Sequence, residues 1–140
     1  GAKEGFEVAL RITPYLVAIL VAVGMFRAAG GIDLLSRAIA PVMQVLGFPT
    51  DLLPMVLVRP LSGSGSLGMF TELVKQFGPD SLIARIGGTI YGSTETTFYV
   101  LAVYFGSVGI KRTRHALLCG LAADWVSVIV SVLVCRLVFG

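Results

Sequence analysis

The chain has 140 residues and a mass of 14.8 kDa, with 56% hydrophobic residues, 14% charged residues and a mean hydropathy of +0.90. Disorder is excluded, because it needs low hydrophobicity and high charge, and a domain this small could not hide so much apolar surface from water. The net charge of +3 comes from Lys and Arg at the ends of apolar runs, where they set membrane topology; no basic run with interleaved aromatics suggests nucleic acid.

The composition defines an integral membrane protein, read here as an all-α, polytopic membrane helix bundle forming one domain over residues 1–140. It begins Gly1-Ala2-Lys3 without a methionine, so it is expected to be a fragment or a trimmed chain that has lost an N-terminal segment. Residues 8–29 form the first expected transmembrane helix. Arg11 and Arg27 flank its uncharged core, and snorkelling arginines extend a short core to a full span. Pro14 is expected near its start, where proline is tolerated best. Gly30-Gly31 ends it.

Residues 32–46 repeat apolar side chains at helical spacing, at Leu35, Ala38, Ile39, Val42 and Leu46. This amphipathic segment is too polar to span. It is expected to lie in the interface or to pack as an arm beside the bundle.

Residues 51–77 carry two apolar arms around Arg59-Pro60-Leu61-Ser62-Gly63-Ser64-Gly65-Ser66. Each arm of about 11 residues makes roughly 16 Å of helix, half a bilayer. A re-entrant helical hairpin fits this pattern better than one kinked helix, and irregular backbone at that depth must face protein or a wet cavity.

Asp80 or Ser81 then caps a segment over residues 82–108, expected to be a broken transmembrane helix. Glu95 stands at its centre within Gly92-Ser93-Thr94-Glu95-Thr96-Thr97. A mid-bilayer acid is costly and marks a functional site, and the hydroxyl run favours local unwinding. Lys111, Arg112 and Arg114 place the next loop in the cytoplasm. Residues 115–139 form the last span, with a second mid-span acid, Asp124.

Gly63, Gly65 and Gly68 fit G-x-G-x-x-G, but no strand precedes them and no acid follows at the spacing a dinucleotide fold needs. They suit either a backbone that approaches a ligand closely or tight packing without one. Glu95 has two compatible roles: to bind a polar solute or cation, or to pair with Arg59 or Arg85. Asp124 is a helix-to-helix clamp or a site residue. A buried Arg59 needs a partner, and Glu95 and Asp124 are its candidates. Gly88 and Gly92 give G-x-x-x-G, a sign of close helix packing. Cys119 and Cys135 are expected as buried thiols. His115, the single histidine, has neither metal-ligand spacing nor a nucleophile partner. No enzyme activity, metal or cofactor is expected.

The runs Gly1-Ala2-Lys3-Glu4-Gly5-Phe6-Glu7, Arg59-Pro60-Leu61-Ser62-Gly63-Ser64-Gly65, Gly92-Ser93-Thr94-Glu95-Thr96-Thr97-Phe98-Tyr99 and Tyr104-Phe105-Gly106-Ser107-Val108-Gly109-Ile110-Lys111 resemble the spore maturation protein B family over essentially the whole chain. Ser66 and Glu95 stand where that family is expected to carry alanine and aspartate. The family is similar to the nucleoside-recognition gate domains of concentrative nucleoside transporters and of the ferrous-iron transporter B membrane part. Gly92-Ser93-Thr94-Glu95 matches their Gly-x-Thr-Glu motif, with Ser93 in place of the usual glutamine.

The resemblance implies a multi-pass protein of the bacterial plasma membrane with a role in spore maturation beside spore maturation protein A. It implies a ligand site from Glu95, Thr94, Ser93 and Thr96 on the broken helix and Ser62, Gly63, Ser64 and Gly65 on the hairpin, with Arg59 and Asp124 as structural polar pairing. Such transporters use two inverted repeats, each with one hairpin and one broken helix, and this chain supplies one of each. It is expected to be half of a gate for a small solute such as a nucleoside or an ion, completed by a protein A-like partner. The alternative is a membrane assembly scaffold that kept the fold without transporting.

Overall fold

The computed structural model describes residues 1–45 and 47–140, with backbone alone for residues 2, 12, 15, 16, 19, 20 and 23. Its elements are helices: α1 (Ala2–Ala28), α2 (Gly31–Val45), α3 (Leu53–Val58) after a 3-10 turn at Thr50–Leu52, α4 (Gly63–Phe77), α5 (Leu82–Ser93), α6 (Thr97–Ser107) and α7 (Ala116–Phe139).

Helix α1 starts six residues before the expected span. Glu4 lies in its first turn and binds the N-terminal ammonium at 3.0 Å, where the helix dipole favours an acid. Pro14 therefore lies mid-helix, not near the start. α1 packs along α6. Helix α2 lays Ile39, Ala40 and Met43 against the core beside α3. Position 46, the end of the expected amphipathic segment, lies outside the described residues.

The core is built around the shortest helix. Leu52, Leu53, Met55 and Val58 are almost fully buried, and Ile86 and Ile90 of α5 and Val128, Val132 and Cys135 of α7 close around them. Helix α4 follows after a short turn and packs on both α3 and α5. The expected loop of residues 59–66 shrinks to Arg59–Ser62. Ser62, in extended backbone, accepts a hydrogen bond from Gly65 N at 3.1 Å, and Ser66 Oγ donates to Gly63 O at 3.0 Å. This cap offsets the cost of glycine in a first turn. A Cβ on Gly65 would meet Ser62 Oγ at 3.0 Å and Val58 Cγ1 at 3.1 Å, so this glycine serves hairpin closure.

Gly78, at φ +87°, ends α4, and Ser81 caps α5 by accepting from Ala84 N at 3.1 Å. The G-x-x-x-G expectation is corrected: a Cβ on Gly87 would lie 3.1 Å from Phe70, whereas Gly92 has nothing within 4 Å. The close approach uses Gly87 and Gly88, because those face α4.

Among the described residues, α7 is the one helix long and apolar enough to cross a membrane, and only 17% of that window is buried. Val126, Ile129, Leu133 and Leu137 lie open on it. A helix apolar on all sides and mostly uncovered requires lipid or another protein around it. Cys135 is buried but Cys119 is exposed, which corrects the expectation of two buried thiols.

Candidate functional site: an interrupted helix docked on a hairpin

The segment after Leu82 does not run as one helix. Thr94 takes extended backbone (φ −114°, ψ 161°), and α6 begins only after Thr96. Thr94 Oγ1 turns back to donate to Ile90 O at 2.6 Å, the competing side-chain bond expected of a threonine at a helix end. A break leaves carbonyls unsatisfied at the end of α5 and N–H groups unsatisfied at the start of α6.

Two consecutive loop residues meet both needs. Arg59 Nη2 donates to Tyr91 O at 2.9 Å and Thr94 O at 2.5 Å, and Nε donates to Thr94 Oγ1 at 3.0 Å. Its guanidinium carbon sits 4.3 Å from the centroid of the Tyr91 ring, and that ring stacks on Phe70. The next residue, Pro60, accepts from Phe98 N at 3.1 Å. Arg59 is only 7% exposed, yet among the described residues it pairs with no carboxylate. The negative end of the α5 dipole and the Tyr91 face compensate its charge instead. The expected pairing of Arg59 with Glu95 or Asp124 is thereby corrected, as Nε and Nη2 are turned to the end of α5 instead.

Helix α7 holds the far side. Asp124 Oδ2 accepts from Thr97 Oγ1 at 2.5 Å. One turn earlier, a Cβ on Gly120 would meet Thr97 Cγ2 at 2.7 Å. Ser127 Oγ donates to Ser93 Oγ at 2.9 Å, Ser93 and Ser131 hydroxyls lie 3.3 Å apart, and Thr89 Oγ1 is 3.3 Å from Cys135 Sγ. These small α7 residues recur every four positions on one face and let α5 lie close.

Between α1, α3, α6 and α7 lies a cavity of about 480 Å³. Its wall is apolar, with Val56, Leu61, Phe98 and Trp125, interrupted by Arg59, Thr94 and Asp124. Those three sequence-predicted residues are brought together. Thr96 is buried at the break, facing Gly63. Ser64 and Gly65 line a separate concavity of about 350 Å³ with Arg27 and Glu72, and Ser62 is held as the α4 cap.

Glu95 is the largest departure. It is exposed on the single chain and does not line the cavity. Its Oε1 accepts from Thr96 N at 2.9 Å and Thr96 Oγ1 at 3.1 Å. Arg85, its other expected partner, bonds Asp80 at 3.5 Å. Ser93 is likewise exposed but engaged by α7. Sequence reasoning missed Tyr91, Thr97 and Trp125 as parts of the site. Tyr91 stands three residues before Thr94, on one helix face, and Thr97 lies inside the hydroxyl run.

A helical hairpin docked onto an interrupted helix, beside an uncovered apolar helix of spanning length, defines an all-helical protein built for apolar surroundings. A family model described as Gate, nucleoside recognition, matches residues 9–111. Spore maturation protein B of Bacillus subtilis (strain 168) is 46% identical over 140 residues, covering 100% of this chain and 79% of that protein. The chain belongs to the nucleoside-recognition gate family, in its spore maturation protein B group. No solved structure matches significantly.

Proposed function

We propose that this chain is one half of a membrane gate for a small polar solute such as a nucleoside or an ion, acting in spore maturation. The observation that carries the reading is the docking of Arg59 and Pro60 onto the two ends of the break, beside a cavity with three polar side chains in an apolar wall. A few fixed polar groups in an otherwise apolar hollow is the usual make-up of a small-molecule site. Discontinuous helices at a repeat interface are how transporters present such a site at mid-depth.

In this reading the chain lies in the bacterial plasma membrane as a multi-pass protein. The exposed carboxylate of Glu95 and the open faces of α7 await a partner. That partner carries the inverted hairpin and broken helix, as a spore maturation protein A-like chain would. Glu95 then enters a site shared between the two proteins, with Thr94 and Thr96 beside it.

The test is co-reconstitution of the two proteins in liposomes with uptake of a labelled nucleoside. Glu95→Gln abolishes uptake while the complex still elutes as one species. A variant that fails to assemble assigns Glu95 to structure. A stable lone monomer that never co-elutes with the partner contradicts the half-gate. The second reading, a non-transporting scaffold, draws on the separation of Glu95 from the cavity. It predicts an assembled pair without uptake of any solute.

A further inference from the structure

The cavity beside the break has an apolar mouth. Of the residues that line it, Ala22 and Phe26 of α1 and Leu35 of α2 are exposed, whereas Val56, Arg59, Thr94 and Val128 are buried. Carbon therefore stands at the opening and the polar Arg59 and Thr94 at the inner end. The surface around the opening is apolar as well. Val21 and Met25 stand exposed beside Ala22 and Phe26 on α1, and Leu34, Ala38 and Val42 surround Leu35 on α2. The polar residues of α2, Asp33, Arg37 and Gln44, share a different side of that helix.

Little in the hollow answers water. Arg59 and Thr94 are each 7% exposed, and they donate to Tyr91 O, Thr94 O and Ile90 O at the end of α5. Asp124 accepts from Thr97, which is not part of the wall. A cavity holds water only where about two to four polar partners meet it, and an empty one forfeits dispersion contacts along its whole lining. Its volume of about 480 Å³ is ample for a ligand.

We propose that this hollow seats one hydrocarbon tail of a membrane amphiphile, an acyl chain that enters sideways past Phe26 and Leu35 and not from water. The tail fills the hollow of the single chain while no solute or partner is present, and packs against Pro60 and Leu61 of the loop that docks on the break. The inference rests on the gate reading only for the membrane around the chain. Glu95, the carboxylate which that reading assigns to the solute, does not line this hollow.

Trp125, the single tryptophan, lines the hollow and reports on it. The chain in phosphatidylcholine vesicles is titrated with dibromostearate, whose bromines quench indole fluorescence on contact, and with acrylamide, a water-borne quencher. Dibromostearate should quench Trp125 along a saturating curve, and acrylamide should reach it weakly. Moving the reporter to the open face of α7 with Trp125→Phe and Val126→Trp should turn that curve into a shallow rise without saturation. Leu35→Gln puts an amide at the mouth and should weaken tail binding about tenfold. Val45→Gln, on the same helix but outside the wall, should leave it unchanged. Curves of one shape at both reporter positions, equal effects of the two glutamine variants, or strong acrylamide quenching without saturation by dibromostearate each overturn the tail site. Alkaline washing of the vesicles judges the membrane separately. A chain that stays embedded without saturating quenching loses only the tail site, whereas a chain that washes off overturns the membrane placement together with it.

Discussion

Arg59 Nη2 and the Thr94 carbonyl oxygen are joined at 2.5 Å across 35 positions of sequence. The contact seats a buried cation on a helix C-terminus. The same loop turns one residue further to give Pro60 O to Phe98 N. The hairpin and the interrupted helix are therefore one unit: the loop hydrogen-bonds both ends of the break.

Lysine cannot replace arginine here. One ammonium cannot reach Tyr91 O, Thr94 O and Thr94 Oγ1 with the planar fork that Arg59 uses. Arg59→Lys is expected to lower stability by about 1.5–3 kcal/mol, the range for hydrogen bonds to charged groups. Denaturant unfolding in detergent, followed by Trp125 fluorescence, reads it. Asp80→Asn, at the exposed Arg85 pair, should change stability by less than about 1 kcal/mol.

Gly120→Ala drives a methyl group to 2.7 Å from Thr97 Cγ2. Thr97 is buried and also holds Asp124, so it has little room to yield. The expected cost is about 1–3 kcal/mol. Combining it with Thr97→Ser, which keeps the hydroxyl and removes the methyl, should recover most of the loss. Thermal unfolding of the single and double variants checks this.

Gly65 and Gly68 share one helix but not one role. Alanine at Gly65 meets Ser62 Oγ and Val58 Cγ1 at 3.0 and 3.1 Å, while at Gly68 it meets nothing within 4 Å. Gly65→Ala should destabilise, and Gly68→Ala should stabilise by about 0.5–1 kcal/mol through helix propensity. Equal effects at both positions would contradict the packing described for the hairpin.

The sequence made the break legible because Gly92 and the hydroxyl run fall in the middle of an apolar segment, and a costly mid-span acid drew attention to the same place. The hairpin was legible from Pro60 and the glycines between apolar arms. Its loop was read too long, since glycines suggest irregular backbone unless the capping geometry of Ser62 is known. Arg59 was recognised as needing compensation, but charge reasoning favours carboxylates over carbonyls. Only the three-dimensional approach of Tyr91 and Thr94 shows that a helix end suffices. The position of Glu95 was beyond reach for a similar reason. In an extended linker, side-chain direction depends on the local dihedral angles and not on helical periodicity.

Hydrogen exchange at the Phe98 amide probes the docking of loop on break. Phe98 is the second residue of α6 and has no acceptor within its own helix; its bond runs to Pro60 O. In wild-type protein this amide should be protected, and in Arg59→Gln it should exchange much faster while the α7 amides keep their protection. A Phe98 amide that exchanges freely in the wild type, or equally in both proteins, would contradict the docked hairpin.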